Sequence, residues 1–237
     1  MRRRSLILLV PLLLWADLDA GAQTQRIDDF QAYEDGGLPT SWQYLVDRRH
    51  LVPVSEQYMA PRERFTVKSE GGNRFVRVYT EGEAVHLTLA NDGERILDWN
   101  TSSHPVLSWD WRALRLPTGA REDVDRLNDT GAGVYVVFKM DGFLIKRPKA
   151  IKYTYSSSLP VGTVVSYGSL RVVVVSSARE GYGAWEHIER NVVEDYRRLF
   201  GEDPPDRPLS LRLWGDSDDT GGIGEADFDN IQVLPSR

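Results

Sequence analysis

The sequence predicts an all-β chain, an antiparallel β-sandwich with one amphipathic helix packed on it. Short segments rich in β-branched and aromatic residues recur along it and end at turn residues, as in Glu70-Gly-Gly-Asn73, Asn91-Asp-Gly93 and Asp141-Gly142. Only one stretch has helical spacing, so strand follows strand and hairpins rather than crossovers connect them. At 237 residues without a cysteine, the chain can bury a sizeable core and needs no disulfide to hold it.

The chain opens with Arg2, Arg3 and Arg4, an apolar run from Leu6 to Trp15, and the small-residue site Ala20-Gly21-Ala22. That order is a secretory signal peptide, and its apolar run is too short to span a bilayer. Cleavage near Ala22 leaves one domain, residues 23–237, in the periplasm or outside the cell. The formal charge is −6, and losing three arginines and two aspartates with residues 1–22 makes it −7. This acidic balance excludes nucleic acid as a partner, because phosphate backbones require clustered cations. No later segment is apolar enough to span a membrane. The lack of cysteine excludes disulfides, thiol nucleophiles and cysteine metal sites.

From Ile27 the chain reads as a short strand, a turn at Gly36-Gly37 and a second strand beginning near Trp42. Period-two or β-branched runs then predict strands over 64–68, 74–80, 84–89, 105–112, 132–140, 150–154 and 170–176, with a closing pair over 209–214 and 226–233. The polar stretch 117–130 is long for a hairpin connection and reads as a mobile surface loop, a common place for function. Trp185, Ile188, Val192, Tyr196 and Leu199 fall at spacings of three and four, which predicts a helix from Trp185 onward. Gly201 stands at its C-cap and Pro204-Pro205 stops it.

Between the last two strands lies an acidic, glycine-rich loop. Counted from Asp216 it places Asp218 at position three, Thr220 at five, Gly221 at six, Gly222 at seven and Asp227 at twelve, the spacing of an EF-hand calcium loop. Strands rather than helices flank it, and Asp replaces the usual final Glu. The competing reading is a solvated hairpin loop whose Asp side chains cap backbone amides. Glycines 221, 222 and 224 do not make a phosphate loop, because the P-loop lysine is absent and the neighbours are acidic.

The blocks Pro105-Val-Leu-Ser-Trp-Asp-Trp111, Leu116-Pro-Thr-Gly119, Gly133-Val-Tyr-Val-Val-Phe138, Lys152-Tyr-Thr-Tyr-Ser-Ser157, Asn191-Val-Val-Glu-Asp-Tyr-Arg-Arg-Leu-Phe-Gly201 and Asp216-Ser-Asp-Asp-Thr220 resemble an exported bacterial family catalogued as domain of unknown function 3047. The resemblance covers nearly all of residues 23–237 and implies a β-sandwich without an assigned activity. The segment Ile27-Asp-Asp-Phe30 and the tail Phe228-Asp-Asn-Ile-Gln-Val233 are similar to the first and last strands of carbohydrate-binding jelly rolls, also called galactose-binding-like folds. In those modules the two strands lie together and share a structural calcium. The resemblance thus offers Asp28, Asp29 and Asp229, with Asp227, as an alternative metal set. Oxygen ligands favour calcium over zinc or copper in either case.

Three functions stay open at this point. A non-catalytic module for a glycan or another envelope component would use Trp109 and Trp111, which stand two apart on one strand and so face one side, as a stacking platform; the competing reading makes them core. A glycoside hydrolase or lyase would need a carboxylate pair drawn from Asp110, Glu186, Asp195, Asp216, Asp218, Asp227 and Asp229. A structural envelope protein would dock through its helix or an edge strand. The chain holds neither Gly-x-Ser-x-Gly nor His-Glu-x-x-His, and its four histidines show no ligand spacing.

Overall fold

The computed structural model describes residues 23–46, 50–59, 61–91, 97–143 and 145–236; the signal-peptide reading falls on residues 1–22 and lies outside them. Two sheets face each other. The first is built from β1 (Gln25–Asp28), β4 (Glu63–Glu70), β5 (Asn73–Glu81), β7 (Val106–Arg115), β12 (Glu186–Asn191) and β14 (Ile223–Leu234). Its order is β12-β7-β14-β5-β4, with β1 pairing on β14. The second holds β2 (Gln43–Val46), β3 (His50–Pro53), β6 (Ala84–Ala90), β8 (Thr130–Asp141), β9 (Arg147–Ser156), β10 (Val164–Tyr167), β11 (Leu170–Ser177) and β13 (Ser210–Asp216). Its order is β10-β11-β9-β8-β13-β6-β2-β3.

Every strand segment predicted from 64 onward overlaps an observed strand, and only Pro105 and Leu209 fall one residue outside it. The pairing is antiparallel except between β9 and β11, which run parallel; β10 takes the outer edge as a hairpin with β11. First and last strands meet, with Gln25 opposite Val233.

Alternation makes the core. Val85 and Leu87, Val134 and Val136, Ile151 and Tyr153, and Leu211 and Leu213 point inward from the eight-stranded sheet. Leu107, Trp109, Trp111, Val76, Val78 and Phe228 point inward from the other. Aromatic rings bridge the gap: Trp109 meets Tyr153 with centroids 5.6 Å apart, and Trp111 meets Tyr155 at 5.5 Å.

The helix is shorter than its spacing predicts. Residues Glu186–Asn191 form strand β12, paired with β7, and α1 spans only Val192–Phe200. The apolar residues 185 and 188 fit a helical stripe, yet Ile188 also fits a strand that alternates with exposed His187 and Glu189. The open edge of β7 selects the second option. Asn191 then caps the helix, its side-chain oxygen accepting from the Glu194 amide at 3.1 Å. Gly201 closes it with φ 71°, as its position predicts. Val192 and Tyr196 bury against the core, where Tyr196 contacts Phe138 at 4.6 Å.

Candidate functional site

Trp109 and Trp111 do not form a ligand platform. Both rings are 0% exposed, packed between the sheets among Tyr153, Tyr155 and Phe228. Trp111 donates its indole N–H to Ser176 Oγ at 3.1 Å. A strand covered on its inner face turns alternate residues into core, and these two alternate with outward Ser108 and Asp110.

The acidic loop does not close as a twelve-residue calcium loop. Asp227 lies on β14, fully buried, and accepts from Arg77 Nε and Nη2 at 2.7 and 2.9 Å and from Arg112 Nε at 2.7 Å. The Gly222 carbonyl accepts from Gly82 N at 3.0 Å. Thr220 donates both its amide and its hydroxyl to Asp129, a residue outside the loop. Asp216 and Asp218 nonetheless come together, with Asp129 as the third member: one carboxylate oxygen from each lies within 4.8 Å of the others. This is the one such group of three or more acidic or histidine side chains among the described residues. The alternative set forms no such group, and its carboxylates are taken up by the protein. Asp28 accepts from Phe30 N, Tyr33 Oη and Trp42 Nε1 at 2.7–2.8 Å, Asp29 pairs with Arg26, and Asp229 accepts from Asn73 and from the Asn230 amide, each at 2.7 Å.

Above Asp216 the outer face of the eight-stranded sheet carries an aromatic row. Trp214 and Arg212 alternate with core residues Leu213 and Leu211, so they face outward from β13; His86 and Thr88 do so from β6, Tyr135 from β8 and Lys152 from β9. Trp214 sits opposite His86 in the ladder, and the rings stack with centroids 4.5 Å apart and planes 5° from parallel. Tyr135 meets the indole at 4.9 Å. The Lys152 ammonium lies 5.4 Å from the Tyr135 ring centre and 3.9 Å from Asp216 Oδ2. A cleft of about 430 Å³ opens over His86, Arg212, Trp214, Asp216 and Asp218, with Asn128 on its wall.

The polar edges of this row are unused. Seven buried side-chain nitrogens or oxygens among the described residues have no hydrogen-bond partner in the protein, and five belong to this face: Gln43 Oε1, His86 Nε2, Thr88 Oγ1, Trp214 Nε1 and Asp216 Oδ1. Gln43 joins them because it pairs with Thr88 across β2 and β6. An unpaired buried polar atom costs about 1–3 kcal/mol, so five in one patch is a sizeable folding cost concentrated at one surface.

Burial sets the charges around the cleft. Burial pushes the Asp216 carboxyl up to about 7 against the pull of Lys152, with Asp218 and Asp129 adding to the rise. Burial, helped by Arg212, pushes His86 down to about 3, so its ring is neutral. Burial opposes the charge of Lys152, yet the surrounding Tyr135, Asp216 and Glu122 leave its pKa above the usual lysine value. Glu122 comes from the stretch expected to be mobile. That stretch is pinned instead: Glu122 accepts from Ser156 Oγ at 2.6 Å, and its backbone carbonyl accepts from Tyr167 Oη at 2.6 Å. Asp129 and Glu122 are both almost fully buried.

On the other sheet, Ser108, His187 and Asp110 stand in the order of a hydrolytic triad, with His187 Nε2 3.4 Å from Ser108 Oγ and Nδ1 2.6 Å from Asp110 Oδ1. Ser108 is 0% exposed in mid-strand, so no substrate carbon reaches its oxygen.

A family model described as protein of unknown function (DUF3047) matches residues 53–232. The chain belongs to this family. The match takes in β4 to β13, most of β14, the helix and every outer-face residue named above except Gln43. No curated protein matches the chain. Among solved structures, a family 11 carbohydrate-binding module of a cellulosomal cellulase from Clostridium thermocellum is similar at 11% identity and TM-score 0.45, over 90% of this chain and 95% of that one. An exo-beta-agarase is similar at 10% identity and TM-score 0.41, over 90% and 25%. The xyloglucanase domain of NopAA from Sinorhizobium fredii is similar at 13% identity and TM-score 0.39, over 76% and 91%. At these scores the likeness carries nothing about what this family member binds.

Sequence reasoning passed over most of this site. Trp214 and Arg212 alternate visibly with Leu211 and Leu213 in the sequence, and His86 and Thr88 with Val85 and Leu87; an aromatic or cation on the solvent side of a strand was the available signal. Asp129 carried no signal until the fold set it beside Asp216.

Proposed function

We propose that this chain is a non-catalytic binding module for a neutral glycan, bound along the outer face of the eight-stranded sheet. The observation that carries the reading is the Trp214–His86 stack on the wall of an open cleft that Arg212 and Asp216 also line. The indole offers a donor, ionised Asp216 only accepts, and neutral His86 does either according to proton position. An anion would meet Asp216 and the neighbouring Asp218 unfavourably. A sugar hydroxyl donates and accepts at once, and sugar C–H faces lie on aromatic surface. The setting assigned is the periplasm or cell exterior, from the pattern of residues 2–22.

Calcium is part of the proposal. Asp129, Asp216 and Asp218 supply hard oxygen ligands at one end of the cleft. The unpartnered Asp216 Oδ1 fits such an ion, and a bound cation would hold Asp216 ionised. The three residues would order the cleft mouth without chemical turnover.

The test is affinity electrophoresis of residues 23–237 through gels cast with neutral soluble polysaccharides. Retardation by at least one polymer, abolished in Trp214→Ala with unchanged thermal midpoint, is expected. Migration unaffected by every polymer, or equal retardation of Trp214→Ala, overturns the reading.

A further inference from the structure

At the far end of β8 from the glycan face, the β8–β9 hairpin carries large apolar side chains into solvent. Phe143 is 95% exposed, Ile145 71% and Met140 47%, the three most exposed apart from Tyr182 among the large hydrophobic residues described. Soluble chains rarely spend such residues on a tip without a partner.

The hairpin is tied down below its tip. Gly142 has φ 106°, and a side chain there would lie 2.3 Å from the Ile145 carbonyl oxygen, so the turn requires glycine. At the base, Lys139 from β8 and Lys149 from β9 both reach Glu202 Oε1, at 2.8 and 2.7 Å, and clamp the two strands to the segment after α1. Lys149 also lies 4.8 Å from the Phe200 ring centre. Those two lysines are committed. Lys146 and Arg147, next to the apolar tip and exposed, form no ion pair with any described residue.

We propose that this hairpin docks the protein on an anionic lipid surface, Phe143 and Ile145 entering the interface while Lys146 and Arg147 meet the headgroups. Charge complementarity selects the occupant. The chain as a whole is acidic, at −6, and is repelled by an anionic bilayer except where cations are presented locally. The tip pairs its exposed apolar side chains with such cations, the combination by which peripheral proteins bind lipid. A protein groove would need only the apolar half. The glycan face and this tip lie at different ends of β8, so lipid contact leaves the cleft open.

The experiment is co-sedimentation of the chain from Gln23 on, which contains both sheets entire, with vesicles of pure phosphatidylcholine and of phosphatidylcholine with one-third phosphatidylglycerol. Binding to the anionic vesicles only is expected, weakening as salt is raised. Phe143→Ser with Ile145→Ser should bind at least tenfold more weakly, and so should Lys146→Glu with Arg147→Glu; both should keep the parent thermal midpoint, since all four side chains are exposed. Phe143→Trp should shift its emission to the blue with anionic vesicles. No vesicle binding at low salt, parental binding by the double serine variant, or a dimer in sedimentation that the serine variant dissolves would each overturn the proposal.

Discussion

The imidazole of His86 lies flat against the indole of Trp214, 4.5 Å between centroids and 5° from parallel, and the buried His86 Nε2 and Trp214 Nε1 have no hydrogen-bond partner in the protein. A stacked pair with unused polar edges is organised before any ligand arrives, which lowers the ordering cost of binding. Trp214→Phe keeps the stacking and removes the donor. Its glycan affinity is expected to fall about five- to tenfold, the worth of one hydrogen bond, with little change in thermal midpoint; calorimetric titration reads the first and scanning calorimetry the second.

Asp216 makes stability depend on pH in a definite direction. Its folded pKa is raised to about 7 from an ordinary 3.8, so between those values the folded state binds the extra proton, and stability falls as pH rises from about 4 to about 7. Asp216→Asn is expected to remove that slope, leaving a flatter curve and a more stable protein at pH 8. Urea titrations across pH 4–8 measure it. A parent and variant with parallel curves would show that Asp216 titrates normally.

Calcium should raise the thermal midpoint of residues 23–237 saturably, because an ion bound only by the folded state stabilises it by mass action. The rise is expected to vanish in Asp129→Asn and in Asp218→Asn and to persist in Asp28→Asn with Asp29→Asn. It should also weaken below pH 7, where Asp216 holds its proton.

Asp227 supports the opposite sheet. Replacing it by Ala leaves the Arg77 and Arg112 guanidiniums, both mostly buried, without their shared carboxylate, at an expected cost of about 3–5 kcal/mol in urea unfolding. Calcium response and glycan affinity should be unchanged in what remains folded. Trp109→Ala, in the core, should cost about 3–5 kcal/mol as well.

Trp109 and Trp214 show what was legible in the sequence and what was not. Each alternates with residues of opposite character, so the strands were plain; alternation does not say which face of a sandwich strand is covered, and the pair at 109 and 111 proved to be the covered one. The fold class followed from turn residues and period-two runs because both are local. The β9–β11 parallel pair did not, since the parallel partner is chosen by β10 reaching the edge first. Residues 186–191 satisfy helix and strand periodicity together, and pairing with β7 decided between them. The site draws on β2, β6, β8, β9 and β13, whose order in the sheet is not their order in the chain, so Asp129, His86 and Trp214 became neighbours only in three dimensions.

The most direct measurement follows the indole N–H signals of the six tryptophans in residues 23–237 in a nitrogen-15-labelled sample during titration with the polysaccharide that retards the protein in gels. The account predicts that the Trp214 signal moves saturably while those of Trp109 and Trp111 stay in place. Saturable binding that leaves the Trp214 signal still, or moves the two core signals in its stead, would contradict it.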